Sequence, residues 1–162
     1  MILIGFMGSG KSTIAERLYL EGYTYVDTDV WIEERCHTTI PEIFDKKGEQ
    51  YFRALEYKAL ASVLNTYRVI SNGGGIITYQ KSYDFLKETT QPVVWLDAPI
   101  DILLNRIKGD SNRPLAQSEE AIINRYLSRE STYRELADIR IDTTESFESC
   151  VKQLINILNN VY

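Results

Sequence analysis

One short stretch near the amino terminus constrains this chain more than any other feature. Gly5-Phe6-Met7-Gly8-Ser9-Gly10-Lys11-Ser12 satisfies the pattern GxxxxGK[ST], and Thr13 follows it. The apolar run Met1–Ile4 leads in, and a segment of helical period, Ser12–Leu20, leads out. A strand that breaks into a glycine-rich turn and then opens a helix converges backbone N–H groups on one point. The helix N-terminus adds positive partial charge at the same place. Gly8, Ser9, Gly10, Lys11, Ser12 and Thr13 are therefore expected to cradle the phosphates of a nucleotide. In that arrangement the Lys11 ammonium reaches the β- and γ-phosphates and the Ser12 hydroxyl binds Mg²⁺. A glycine-rich turn with no ligand is the alternative, and it leaves the flanking strand and helix unexplained.

Beyond this loop, short apolar runs alternate with helix-period segments. Met1–Ile4, Tyr23–Val26, Val69–Ser71, Val93–Leu96 and Ile139–Ile141 read as buried strands. Ser12–Leu20, Val30–Cys36, Glu49–Leu64, Lys81–Lys87, Ile100–Ile107, Glu119–Glu135 and Phe147–Leu158 read as helices, with Pro41–Phe44 also helical. Such alternation predicts a parallel sheet covered on both faces. The 162 residues suit one domain, and no repeat, low-complexity tract or linker interrupts them.

Formal net charge is −5, against a basic face of the kind nucleic acid or an anionic membrane requires. Any anionic ligand must then be held by a local cluster of Arg and Lys. No run approaches the ~20 apolar residues that span a bilayer, and a cytoplasmic monomer is expected. Cys36 and Cys150 lie far apart without CxxC spacing, and each is expected as a buried free thiol. His37 beside Cys36 lacks the further ligands a zinc site needs.

Several polar groups stand out. Asp27 and Asp29 follow the apolar run Tyr23–Val26, and strand alternation would turn both carboxylates toward the loop. Capping the next helix is the alternative for them. Arg53 and Glu56 share a helix face, either as an ordinary surface pair or with Glu56 locking the arginine's rotamer. Arg129 has Arg125 one turn back, a like-charge spacing that an anion would relieve. Gly73-Gly74-Gly75 follows a strand, and absent side chains let backbone N–H groups approach a ligand. Lys108–Pro114 is polar, with Gly and Pro between two helices, and reads as a surface loop or as a mobile lid. A guanine-specific NKxD motif is missing, and Asp45–Gly48 spells DxxG without a preceding strand.

Read in order, GFMGSGKST at Gly5–Thr13, Asp27-Thr28-Asp29, Phe52-Arg53 with Glu56, Gly73-Gly74-Gly75, Arg113-Pro114-Leu115 and Arg129 with Tyr133 resemble the shikimate kinase family over nearly the whole chain. The resemblance implies a three-layer α/β/α P-loop kinase fold related to nucleoside monophosphate kinases. It implies a five-stranded parallel sheet in the order 2-3-1-4-5, a substrate-binding region at about residues 29–65 and a mobile lid at about 108–118. It further implies Mg²⁺-dependent transfer of the γ-phosphoryl group of ATP to the 3-hydroxyl of shikimate. Asp27 with Ser12 would then hold the metal. Asp29 would orient the hydroxyl, while Arg53, Arg129, Gly74 and Gly75 bind the acid. Lys11 and Arg113 would stabilise the transferring phosphate, Arg106 would stack on adenine, and Asp142-Thr143-Thr144 would border the base. Arg125, Arg134 and Arg140 are expected as surface charges. The chain departs from the family at Asn72, before the triple glycine, and at Ser131, two residues after Arg129. A gluconate-type or nucleotide kinase, and a nucleotide-binding regulator without catalysis, are the competing readings.

Overall fold

The computed structural model describes residues 1–109 and 117–160. Five strands, β1 (Ile2–Ile4), β2 (Tyr25–Asp27), β3 (Val69–Ser71), β4 (Val93–Asp97) and β5 (Ile139–Asp142), form one parallel sheet in the order β2-β3-β1-β4-β5. The expected architecture is met.

Strand period explains the layering. Ile2 and Ile4 of β1 face one side together with Ile70, Val93 and Trp95, whereas Met1 and Leu3 face the other with Val69, Val94 and Leu96. Helices α4 (Glu49–Val63), α5 (Gln80–Glu88), α6 (Ile100–Gly109) and α7 (Glu119–Leu136) cover the first face. On the second face α1 (Lys11–Leu20) packs through Ile14, Ala15 and Leu18, and α8 (Phe147–Asn160) through Val151, Leu154 and Leu158. Leu3 and Leu18 are fully buried there, so truncating either to alanine would cost about 2–5 kcal/mol. None of these helices is long and apolar enough to cross a membrane.

A third, smaller cluster of Ile32, Ile43, Phe52 and Ala59 joins α2 (Thr28–Cys36), α3 (Ile40–Lys47) and α4. The short helical reading at Pro41–Phe44 extends to Ile40–Lys47 because Thr39 caps its start, its hydroxyl accepting from the Glu42 N–H, and Pro41 fits the first turn. Helix α2 starts at Thr28, two residues before the expected Val30. Oδ1 of Asp27 accepts from the N–H groups of Asp29 (2.9 Å) and Val30 (3.3 Å) and caps the helix. Asp29 therefore belongs to a first helical turn, and strand alternation is not what aims the two carboxylates. Cys36 and Cys150 are both free; Cys150 is buried as expected, but Cys36 is only half-buried.

Crossovers of this kind leave a crevice beyond the carboxyl ends of the strands. Met7 and Gly8 in the loop after β1, Asp27 at the end of β2 and Asn72 after β3 all open onto it. Most of the predicted lid, with Arg113, lies outside the described residues.

Candidate active site

The loop after β1 turns on its glycines. A Cβ at Gly5 would stand 2.5 Å from the Leu96 carbonyl oxygen, and Gly10, which precedes α1, has φ 91°, a conformation L side chains rarely adopt. Lys11 Nζ reaches back across the loop and donates to the carbonyls of Gly5 (2.7 Å) and Phe6 (3.1 Å). A terminal phosphate would compete with those neutral acceptors for the ammonium.

Above the loop lies a cavity of about 570 Å³, walled by Gly8, Lys11, Ser12, Asp27, Asp29, Asn72, Gly73, Gly74 and Arg106 among others. Its volume suits a small ligand. The cap bond to α2 leaves Oδ2 of Asp27 turned the other way, where it accepts from Ser12 Oγ at 3.1 Å. One carboxylate thus ties α2 to the phosphate loop. Two hard oxygens at the mouth of a phosphate cradle form the kind of donor set Mg²⁺ accepts, the remaining positions going to water and phosphate.

Asp29 reaches the same cavity from the first turn of α2. Burial, reinforced by the charge of Asp27, raises its carboxyl to about 6 despite the opposing pull of Lys11 and Arg53. Its Oδ1 is buried and without a hydrogen-bond partner among the described residues. Between the two aspartates, the fully buried Thr28 donates to the Ser71 carbonyl (3.3 Å) and to Asn72 Oδ1 (3.4 Å), pinning the start of α2 to the end of β3. The departure at Asn72 is thereby part of the framework.

Arg53 and Glu56 are no surface pair. Arg53 is 8% exposed and Glu56 fully buried; Arg53 Nη1 donates to Glu56 Oε2 at 2.7 Å, while Nε and Nη2 reach Glu49 Oε1 at 3.3 and 3.1 Å. Burial pushes the Glu56 carboxyl up to about 7 against the pull of Arg53, and its Oε1 has no partner among the described residues. The triple glycine explains how so much charge fits. A Cβ on Gly73 would stand 2.7 Å from Glu56 Oε1 and 3.0 Å from Asp29 Oδ1, and one on Gly75 only 2.3 Å from both Arg53 Nη atoms. At Gly74 a Cβ would meet the Gly5 carbonyl at 3.1 Å and the Tyr133 hydroxyl at 3.3 Å. None of the three has positive φ, so space and not backbone freedom demands glycine.

Arg129 stands half-buried one helical turn before Tyr133, to which it hydrogen-bonds, and Tyr133 in turn donates to the Gly74 carbonyl at 2.5 Å. Burial and the nearby charges of Arg53 and Arg125 lower the Arg129 pKa. An anion beside Arg129 would relieve that repulsion. Arg129 is absent from the wall of the main cavity and joins the site through Tyr133 and Arg53.

Arg106 of α6 borders the main cavity and a second one of about 320 Å³. Its guanidinium donates to the Gly8 carbonyl (3.3 Å), Thr143 Oγ1 (2.8 Å) and the Thr143 carbonyl (2.7 Å). Arg106 and Thr143 are thus joined, whereas Asp142 and Thr144 line neither cavity. Glu145, Phe147 and Cys150 also line this second cavity, and sequence reasoning missed them, because only their position after β5 could have pointed there. Arg140 is exposed but corrects the expectation of a simple surface charge. Its Nε and Nη2 grip Oδ2 of the buried Asp97 at 2.9 and 2.7 Å. The Asp97 carbonyl accepts from the N–H and hydroxyl of Thr143, so this pair anchors the turn that holds Arg106.

Comparison with known proteins agrees with this geometry. A family model described as Shikimate kinase matches residues 7–159. A shikimate kinase of Staphylococcus haemolyticus (strain JCSC1435) is 42% identical over 161 residues, covering 98% of this chain and 93% of that relative. Among solved structures, shikimate kinase from Acinetobacter baumannii in complex with shikimate superposes with a TM-score of 0.84 at 36% identity, over 98% of this chain and 92% of the other. Shikimate kinase from Bacteroides thetaiotaomicron gives a TM-score of 0.85 at 28% identity, over 98% and 97% of the two chains.

Proposed function

The chain belongs to the shikimate kinase family, and on that premise we propose a division of labour among its residues. The activity is ATP-dependent phosphoryl transfer to shikimate, at the 3-hydroxyl, giving shikimate 3-phosphate and ADP. One observation carries the assignment of roles. Asp29 presents a buried, unpartnered oxygen in the cavity that Lys11 also walls, while the locked Arg53–Glu56 pair backs it across Gly73.

In this reading the backbone of Gly8–Thr13 and the Lys11 ammonium hold the triphosphate, and Arg106 bounds the base. Arg53 and Arg129 bind the shikimate carboxylate, with the N–H groups of Gly74 and Gly75 beside it. Asp29 accepts a hydrogen bond from the attacking hydroxyl and aims its oxygen along the line of transfer. Its raised affinity for a proton suits it to take that proton as the new bond forms. Positioning supplies most of the rate, since phosphoryl transfer passes through a loose transition state. Ser12 Oγ and Asp27 Oδ2 would hold Mg²⁺, which when bound neutralises phosphate charge. Arg113, outside the described residues, would stabilise the charge of the transferring phosphate. The chain acts as a cytoplasmic monomer on these two small substrates, without nucleic acid.

ADP release from Mg²⁺-ATP, measured with and without shikimate, tests the activity. A large shikimate-dependent rate is expected, absent with analogues that lack the 3-hydroxyl or the carboxylate. Equal turnover of those analogues would overturn the substrate assignment.

A further inference from the structure

Away from this site, a groove of about 470 Å³ runs between the outer faces of α2 and α4. Its volume falls in the range of small-molecule pockets, and its floor is apolar: Ile32 and Leu55, flanked by the rings of Trp31 and Tyr57. The charged residues on its wall are Arg35 and Lys58, both cations, on a chain whose net charge is −5. Among the described residues neither is ion-paired. The Arg35 guanidinium instead lies 4.2 Å from the centre of the Trp31 ring. Trp31 also borders a separate cleft, whose charged lining residues are Asp27 and Glu34.

We infer that this groove binds a small aromatic carboxylate. A planar ring lies on Ile32 and Leu55 against Trp31, and its carboxylate bridges Arg35 and Lys58. A guanidinium already stacked on an indole is pre-ordered for a planar anion, which lowers the cost of fixing its side chain. A basic peptide or a cation would face two unpaired positive charges. A second copy seated symmetrically would set Arg35 and Lys58 against their own equivalents. The groove lies on the opposite side of α4 from Arg53 and Glu56, and on the helix whose first turn carries Asp29. Any change in shikimate affinity on filling the groove would be matched by the reciprocal change in affinity for its occupant.

The probe is 2-naphthoate, titrated into the full chain without nucleotide and followed by calorimetry and by the two tryptophan indole N–H signals in ¹H–¹⁵N spectra. Saturable binding with Kd below about 1 mM is expected, moving the Trp31 signal and leaving that of Trp95, which is 1% exposed. Removing both exposed cations, Arg35→Ala with Lys58→Ala, should weaken binding roughly tenfold or more, the scale of a lost charged hydrogen bond. Neutral 2-naphthamide should bind correspondingly weakly to the unaltered chain, and Ala61→Phe, which fills the groove, should block the probe. Equal affinity for amide and acid, or undiminished binding by the double variant, overturns the inference. So does a response of Trp95 alone, or displacement of the probe by shikimate from a chain carrying Ala61→Phe, which would put it in the main cavity. None of these readouts needs catalysis, so a failure here leaves the kinase assignment separately testable.

Discussion

Gly75 and Arg53 are in such close register that a single methyl on the glycine would stand 2.3 Å from both terminal nitrogens of the guanidinium. The arginine is 8% exposed and bonded to two glutamates, so it has little room to yield. Gly75→Ala is expected to cost about 1–3 kcal/mol of stability by overpacking. It should also raise KM for shikimate at least tenfold while KM for ATP changes by less than about twofold. Thermal melts and steady-state kinetics check both halves, and a normal shikimate KM would show that the arginine does not bind the acid.

Arg53→Ala removes the clamp directly. Shikimate affinity should fall by about 1.5–3 kcal/mol, roughly ten- to a hundredfold, with ATP binding retained. Calorimetric titration with each ligand separates the two. Glu56→Gln keeps the shape but not the charge that holds Arg53, and should give a smaller loss in the same direction.

Asp29→Asn leaves the packing against Gly73 nearly unchanged and removes the proton acceptor. A severe loss in kcat is expected, about a hundredfold or more for a lost general base, with ATP affinity intact. Rapid-quench measurement of the chemical step decides it. Unaltered kcat would take Asp29 out of the reaction.

Burial also predicts a pH dependence of the ligand-free protein. Asp29 and Glu56, held at about 6 and about 7 against ordinary values of 3.8 and 4.5, each bind a proton more tightly folded than unfolded. Their contribution to stability is full below their ordinary values and is lost as pH rises through 6 to 7. It amounts to on the order of 3 kcal/mol per group. Urea denaturation should therefore show the natural chain losing stability relative to the Asp29→Asn, Glu56→Gln double variant between about pH 4 and pH 7. A constant difference across that range would mean that neither carboxyl is shifted.

Arg106→Ala should raise KM for ATP several-fold and leave shikimate binding alone, because its guanidinium joins Gly8 of the phosphate loop to Thr143. Thr143→Val, which keeps the carbonyl acceptor but loses the hydroxyl, should give an intermediate effect. Equal ATP affinities in all three proteins, measured by nucleotide titration, would dissociate this bridge from the nucleotide.

The residues that could be read without a structure are those whose chemistry is set by near neighbours in the chain. Gly10, Lys11 and Ser12 act through one turn and the helix it opens, and the alternation of strand and helix already dictates a parallel sheet. Even so, local logic misread Asp29, since the cap at Asp27 draws it into a helix where strand periodicity had been assumed. Folding alone decided that Arg53 and Glu56 are buried together, because the cavity that hides them is roofed by glycines some twenty residues away. The pairing of Asp97 with Arg140 and the seat of Arg106 on Thr143 likewise join elements distant in sequence. Periodicity can say which face of a helix is apolar, but the neighbours of a buried charge are chosen by packing between elements, and those neighbours set its partners and its protons.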